Sequence, residues 1–141
     1  MIKSKKELKF YMAADMMMNK GTFNRSFKNH IRDFLYSDYT IIFLRLMRKV
    51  DYYSNAPSLW GRVLKVWYSI LYKRISLKMG FYIGPHCFGY GLVIPHPGTI
   101  VVGESNRIGN YAVLNTSTCI SWKRKSYRRC IIFGCRRYDN I

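Results

Sequence analysis

The sequence predicts an α+β chain. A helical N-terminal region leads into a short parallel β-helix of hexapeptide repeats and ends in an irregular basic tail. Three observations predict this. In the stretch Ile83–Ile120, the residues Val102, Ile108, Leu114 and Ile120 fall six apart, with Gly103 and Gly109 directly after two of them. A period of six fits neither the helical repeat of 3.6 nor the strand repeat of 2, and it fits stacked short strands that each end in a turn. Before residue 80, apolar residues recur at helical spacing between capping and breaking signals. The charge is also divided unequally: of the total +17, residues 1–79 carry +11, residues 80–120 none and residues 121–141 carry +6. The expected divisions are therefore a helical region at 1–79, a partial hexapeptide-repeat domain at 80–120 and an aberrant basic tail at 121–141.

In chain order, Ser4-Lys5-Lys6-Glu7 is a capping-box pattern, so a first helix starts there and runs to about Lys20, with Gly21 at its C-terminal stop. A second short helix is expected over Phe27–Tyr36. Ser37 or Asp38 caps a third through about Tyr53, with an apolar stripe of Ile42, Leu46 and Val50 and with Leu44 and Met47 beside it. Asn55 and Pro57 break the chain, and Ser58 caps a fourth helix that ends before Gly80. That helix carries Trp60, Val63, Leu64, Trp67, Ile70, Leu71 and Ile75 at helical spacing, and these are expected to pack as core against the other helices. From Ile83 the hexads begin, their aliphatic residues expected to point inward and their glycines to permit the turns.

A chain of 141 residues is one domain, or a domain with a helical extension. No stretch approaches the ~20 uncharged apolar residues of a membrane span, because Arg45 and Lys73 interrupt the longest apolar runs. The first nine residues lack the apolar block and small-residue site of a secretory leader, which makes the cytoplasm the expected location and Cys87, Cys119, Cys130 and Cys135 free thiols. The positive charge admits a non-catalytic class, a basic protein that binds nucleic acid or lies on a membrane surface through its helices. The neutral repeat region and the lack of a nucleic-acid motif argue against nucleic acid.

Three histidines are present. His30 lies on a charged helical face and reads as solvated. His86 follows Pro85 at the start of the repeat region, beside Cys87; no second Cys/His pair stands at metal spacing, and the gap from Cys130 to Cys135 is wrong for a zinc knuckle. His96 lies six residues before Val102, held between Pro95 and Pro97.

The run around His96 reads Phe88-Gly-Tyr-Gly-Leu-Val-Ile-Pro-His96-Pro-Gly-Thr-Ile-Val-Val-Gly103-Glu104. It resembles the serine O-acetyltransferase branch of the hexapeptide acyltransferases, and the likeness covers about residues 79–120. The resemblance implies a left-handed parallel β-helix, assembly as a homotrimer, no metal, acetyl-CoA as donor and a small hydroxyl acceptor. The acceptor is serine, as in cysteine biosynthesis, or a sugar of capsule or exopolysaccharide synthesis. It makes His96 the catalytic base and gives Pro95 and Glu104 contacts to substrate. The chemistry suits an imidazole, which titrates near ~6.5 and takes the proton of a hydroxyl as that oxygen attacks a thioester. Two positions depart from the family: Tyr82 stands where it has the aspartate that orients the histidine, and Pro95 where it has an acidic residue.

The period stops at Ile120. Ser121–Ile141 reads SWKRKSYRRCIIFGCRRYDNI, with seven basic residues. With permitted codons, a one-nucleotide shift converts Trp122–Arg129 to Gly-Lys-Gly-Lys-Val-Ile-Gly-Asp and Gly134–Asn140 to Gly-Ala-Gly-Ala-Met-Ile-Ile, both hexapeptide-repeat phrases. The tail is therefore expected to be out-of-frame translation on a truncated acyltransferase of impaired activity.

Overall fold

The computed structural model describes residues 2–21 and 38–120, together with the backbone strands Ser126–Tyr127 and Ile132–Phe133. The expected helix Phe27–Tyr36, His30, Cys130 and Cys135 lie outside the described residues.

Helix α1, Lys5–Lys20, starts on a complete capping box. The Ser4 hydroxyl accepts from the Glu7 N–H at 3.1 Å, and the Glu7 carboxylate accepts from the N–H groups of Lys3 at 2.7 Å and Ser4 at 3.3 Å. Gly21, at φ 70°, ends it by donating to the Met17 carbonyl. Helix α2, Tyr39–Ser54, is capped by Asp38, whose carboxylate accepts from the Ile41 N–H at 3.4 Å. Helix α3, Leu59–Met79, stops at Gly80, whose φ of 73° turns the chain straight into the first strand.

The faces that these helices bury differ from expectation. In α2 the buried stripe runs through Ile41, Leu44, Met47, Arg48 and Asp51, with Phe43, Leu46 and Val50 beside it, and Ile42 points outward. In α3 the expected core stripe is wrong: Trp60, Val63, Trp67 and Ile70 are all exposed, and the buried positions are Gly61, Tyr72, Ser76 and Met79. Tyr68, Leu71 and Ile75 are partly buried against the core. The α3 sequence is apolar nearly all round, so periodicity alone does not say which side meets α2. The Tyr72 ring stacked on Phe43 of α2 marks the side that does, and the Tyr72 hydroxyl bonded to the Ile83 carbonyl and the Ser76 hydroxyl bonded to the Phe81 carbonyl at 2.6 Å tie the same side to the strand that follows.

After α3, β1 (Phe81–Ile83), β2 (Ile100–Val102) and β5 (Thr118–Ile120) form a three-stranded parallel sheet in the order β1-β2-β5. Its register sets Phe81 beside Ile100 and Ile100 beside Thr118, and it sets Ile83 beside Val102 and Val102 beside Ile120. Two parallel pairs accompany it: β3 (Arg107–Ile108) with β6 (Ser126–Tyr127), and β4 (Val113–Leu114) with β7 (Ile132–Phe133).

This architecture corrects the expected fold. The described residues form three helices and a small three-stranded parallel sheet with two short pairs, and no left-handed β-helix is evident among them. A six-residue period specifies where short strands turn; it specifies neither the hand of a crossover nor a closed stack. The hexads do mark buried positions, since Val102, Ile108, Leu114 and Ile120 are all core. Their register fails upstream, where residues 84–99 hold only the single bridges of Phe88 to Ile108 and Val93 to Val113, and His96 is exposed. The tail is not wholly irregular either, because β6 and β7 lie within it.

The strands and helices share one apolar cluster. It runs from Phe43, Leu44 and Met47 of α2 through Tyr72 and Met79 of α3 to Phe81, Ile100, Val102 and Leu114. The Phe43 ring stacks on Tyr72 at 5.1 Å between centroids and meets Phe81 edge-on at 5.0 Å.

Candidate functional site

The segment before His96 is held by charged and amide groups of α1 and α2. Arg48 is fully buried, and its guanidinium donates to both carboxylate oxygens of Asp15, at 2.8 and 3.1 Å. The same guanidinium donates to the carbonyls of Phe88 at 2.8 Å and Gly89 at 2.6 Å. Asp15 Oδ1 also accepts from the N–H groups of Gly91 at 2.8 Å and Leu92 at 2.9 Å. Asn19, one turn on, donates to the Leu92 carbonyl at 2.8 Å and accepts from the Ile94 N–H at 3.2 Å. Six backbone groups between Phe88 and Ile94 are thus fixed by three side chains, so a buried charge pair is fully bonded, the condition under which it is tolerated in a core.

Directly after this stem, Pro95, His96 and Pro97 are exposed, between buried Ile94 and buried Ile100. Gly98 follows at φ 153°, and a Cβ there would lie 2.8 Å from the Thr116 side chain. The imidazole of His96 is therefore offered to solvent from a turn with rigid prolines on both sides and a sterically closed exit.

A second histidine has a different setting. His86 Nδ1 bonds to Oδ1 of Asp51, a buried carboxylate on α2 whose Oδ2 accepts from the Ile2 N–H at 3.1 Å. A carboxylate facing Nδ1 accepts a hydrogen bond from that nitrogen, so in the neutral ring the lone pair is on Nε2. His86 lines an open cleft of about 240 Å³ with Val50, Ser54, Lys65, Ser69, Gly84, Pro85 and Glu104. The cleft joins an oriented imidazole, a carboxylate, an ammonium group and two hydroxyls, a set able to bind a small polar molecule and to move a proton.

The structure brings Glu104 to this cleft, whereas Pro95 and His96 are not among its lining residues. The three residues expected to share one site are thus divided between the cleft and the His96 turn. Sequence reasoning missed Asp51 and its bond to His86. The available signal was Arg48 and Asp51 three apart on the apolar side of α2, since a charge on a core stripe needs a partner. Cys87, adjacent to His86, is 1% exposed; burial pushes its thiol up to about 11, and it donates to the Gly103 carbonyl at 3.4 Å. Among the described residues, no group of three or more His, Cys, Asp or Glu side chains is placed to hold a metal ion. No described helix is long and apolar enough to cross a membrane. No family model, curated protein or solved structure matches the chain.

Proposed function

We propose that this protein transfers an acetyl group from acetyl-CoA to a small hydroxyl acceptor, serine or a sugar, with His96 as general base. The reading is supported by the resemblance carried by Phe88–Glu104. The observation that carries it is the exposed imidazole at the end of a stem whose backbone is bonded at six points. In the step, His96 takes the acceptor's hydroxyl proton as that oxygen attacks the thioester carbonyl. The tetrahedral intermediate then collapses, the C–S bond breaks, and the imidazolium returns the proton to the departing sulfur. Assembly as a homotrimer belongs to the same reading and is checked by light scattering on the purified chain.

A second assignment of the base is favoured by one observation: among the described residues, His86 is the histidine with a carboxylate on its ring. Orientation by a carboxylate is what makes an imidazole an effective base in hydrolases. The experiment measures release of the CoA thiol with serine and with a panel of monosaccharides. The expected result is acceptor-dependent release slower than the ~1–10³ s⁻¹ of ordinary enzymes, reduced roughly 10²- to 10⁴-fold by His96→Ala and little changed by His86→Ala. The opposite pattern moves the base to His86. Release independent of every acceptor overturns the proposal.

A further inference from the structure

The side of α3 that faces away from α2 is apolar and uncovered. Trp60, Val63, Val66, Trp67, Ile70 and Leu77 share it, from 49% exposed at Ile70 to 79% at Trp60. Their spacing puts them on one stripe opposite buried Gly61, Tyr72, Ser76 and Met79. Soluble proteins seldom leave a continuous apolar strip of this kind unpartnered.

The charges around the strip indicate the partner. Arg62 and Lys73 border it, Arg74 stands within it between Ile70 and Leu77, Lys78 follows at its end, all four are exposed, and α3 contains no aspartate or glutamate. A second copy laid face to face would bring these cations together with no carboxylate on either α3 to answer them. An anionic lipid surface meets both needs at once, acyl chains for the strip and phosphates for its borders. Two tryptophans on the strip fit the same boundary, because an indole is apolar with one N–H that prefers the headgroup level. The helix has 21 residues, and at ~1.5 Å per residue it lies about 30 Å long in the membrane plane. Lying flat rather than crossing agrees with its five Lys and Arg residues. The net charge of +17 draws the whole protein to the same surface from a distance.

We propose that α3 docks this protein on anionic phospholipid membranes, with its Trp60–Trp67–Ile70 strip in the headgroup boundary and Arg62, Lys73 and Arg74 on lipid phosphates. This proposal is independent of the acyl-transfer reading.

The test is sedimentation of the full chain with vesicles of phosphatidylcholine alone and of phosphatidylcholine mixed with phosphatidylglycerol. Binding is expected to the mixed vesicles only, and to fall with salt. Two variants then separate the contributions: Trp60→Ser with Trp67→Ser removes the indoles, and Arg62→Glu with Lys73→Glu reverses the border. Each is expected to weaken partitioning roughly tenfold or more while leaving the helical circular dichroism unchanged, because all four side chains are exposed. In a Trp122→Phe background, the emission of Trp60 and Trp67 should shift to the blue on mixed vesicles. Failure to bind either vesicle overturns the proposal, as does binding that neither double variant alters. Self-association on light scattering that the tryptophan variant abolishes, without vesicle binding, assigns the strip to a second copy and also overturns it.

Discussion

Cys87 has a thiol 1% exposed, beside a polar cleft and under the Gly103 carbonyl. Burial raises it from its ordinary 9.0 to about 11, desolvation of the thiolate being the main cause. The unfolded chain therefore ionises first as the solution becomes alkaline. The stability contributed by the buried thiol is whole below pH 9 and is lost as the pH rises through about 11, an effect of about 3 kcal/mol. Tyr72, also raised by burial, adds to the alkaline fall at higher pH. We expect the urea midpoint to drop between pH 9 and 11, and to drop less in Cys87→Ala. Thiol labelling of the native protein followed by peptide mapping should find exposed Cys119 modified and Cys87 protected until denaturant is added. Equal labelling of the two in the native state would contradict the burial. Cysteines are legible in a sequence only as a count and a spacing; their protection comes from long-range packing. Asp15, Arg48 and Asp51 share this property. The sequence places Arg48 and Asp51 on the apolar side of α2 but does not name their partners or that of Asp15, which lie 33 to 77 residues away in the chain.

The elements were legible to different degrees for the same reason. The ends of α1 followed from Ser4, Glu7 and Gly21, because a cap is satisfied by atoms within three or four residues. The buried side of α3 did not follow, because an apolar residue on nearly every face removes the contrast that periodicity reads. The likeness around Phe88–Glu104 and the spacing of six located short strands and buried aliphatics, but carried the expectation of a left-handed β-helix beyond what the strands form. The assignment of faces in α3 has a direct check. Trp67→Gln should shift the stability by no more than ~0.5 kcal/mol, as for other exposed positions. Tyr72→Ala should cost roughly 3–5 kcal/mol, because it empties the stack on Phe43 and frees the buried Ile83 carbonyl. Urea unfolding of both variants measures the difference. Similar losses in the two would mean that Trp67, too, lies in a packed face, and the lipid-docking strip would lose its central residue.

At the scale of the molecule, the helical half and the strand half are built as one unit. The apolar cluster passes from α2 and α3 into β1 and β2 without a gap, and α1 adds the polar clamp on Phe88–Ile94. Asp15 is the centre of that clamp, since one carboxylate serves the Arg48 guanidinium and the amides of Gly91 and Leu92. Replacing it with asparagine places an NH₂ group against donors, so a buried guanidinium or two buried amides lose their acceptor. A loss of roughly 3–5 kcal/mol is expected from breaking a buried pair on one side. Because helices and strands share the cluster, helical circular dichroism and tyrosine or tryptophan fluorescence should fall at the same urea concentration in the native protein, and should move down together in Asp15→Asn. Hydrogen exchange in that variant should be fastest at Gly91, Leu92 and Ile94, the amides that lead to His96. If the variant unfolds in two steps, with the strands lost before α2 and α3, the clamp rather than the shared core holds the halves together. The histidine turn would then depend on α1 for its position and not on the sheet.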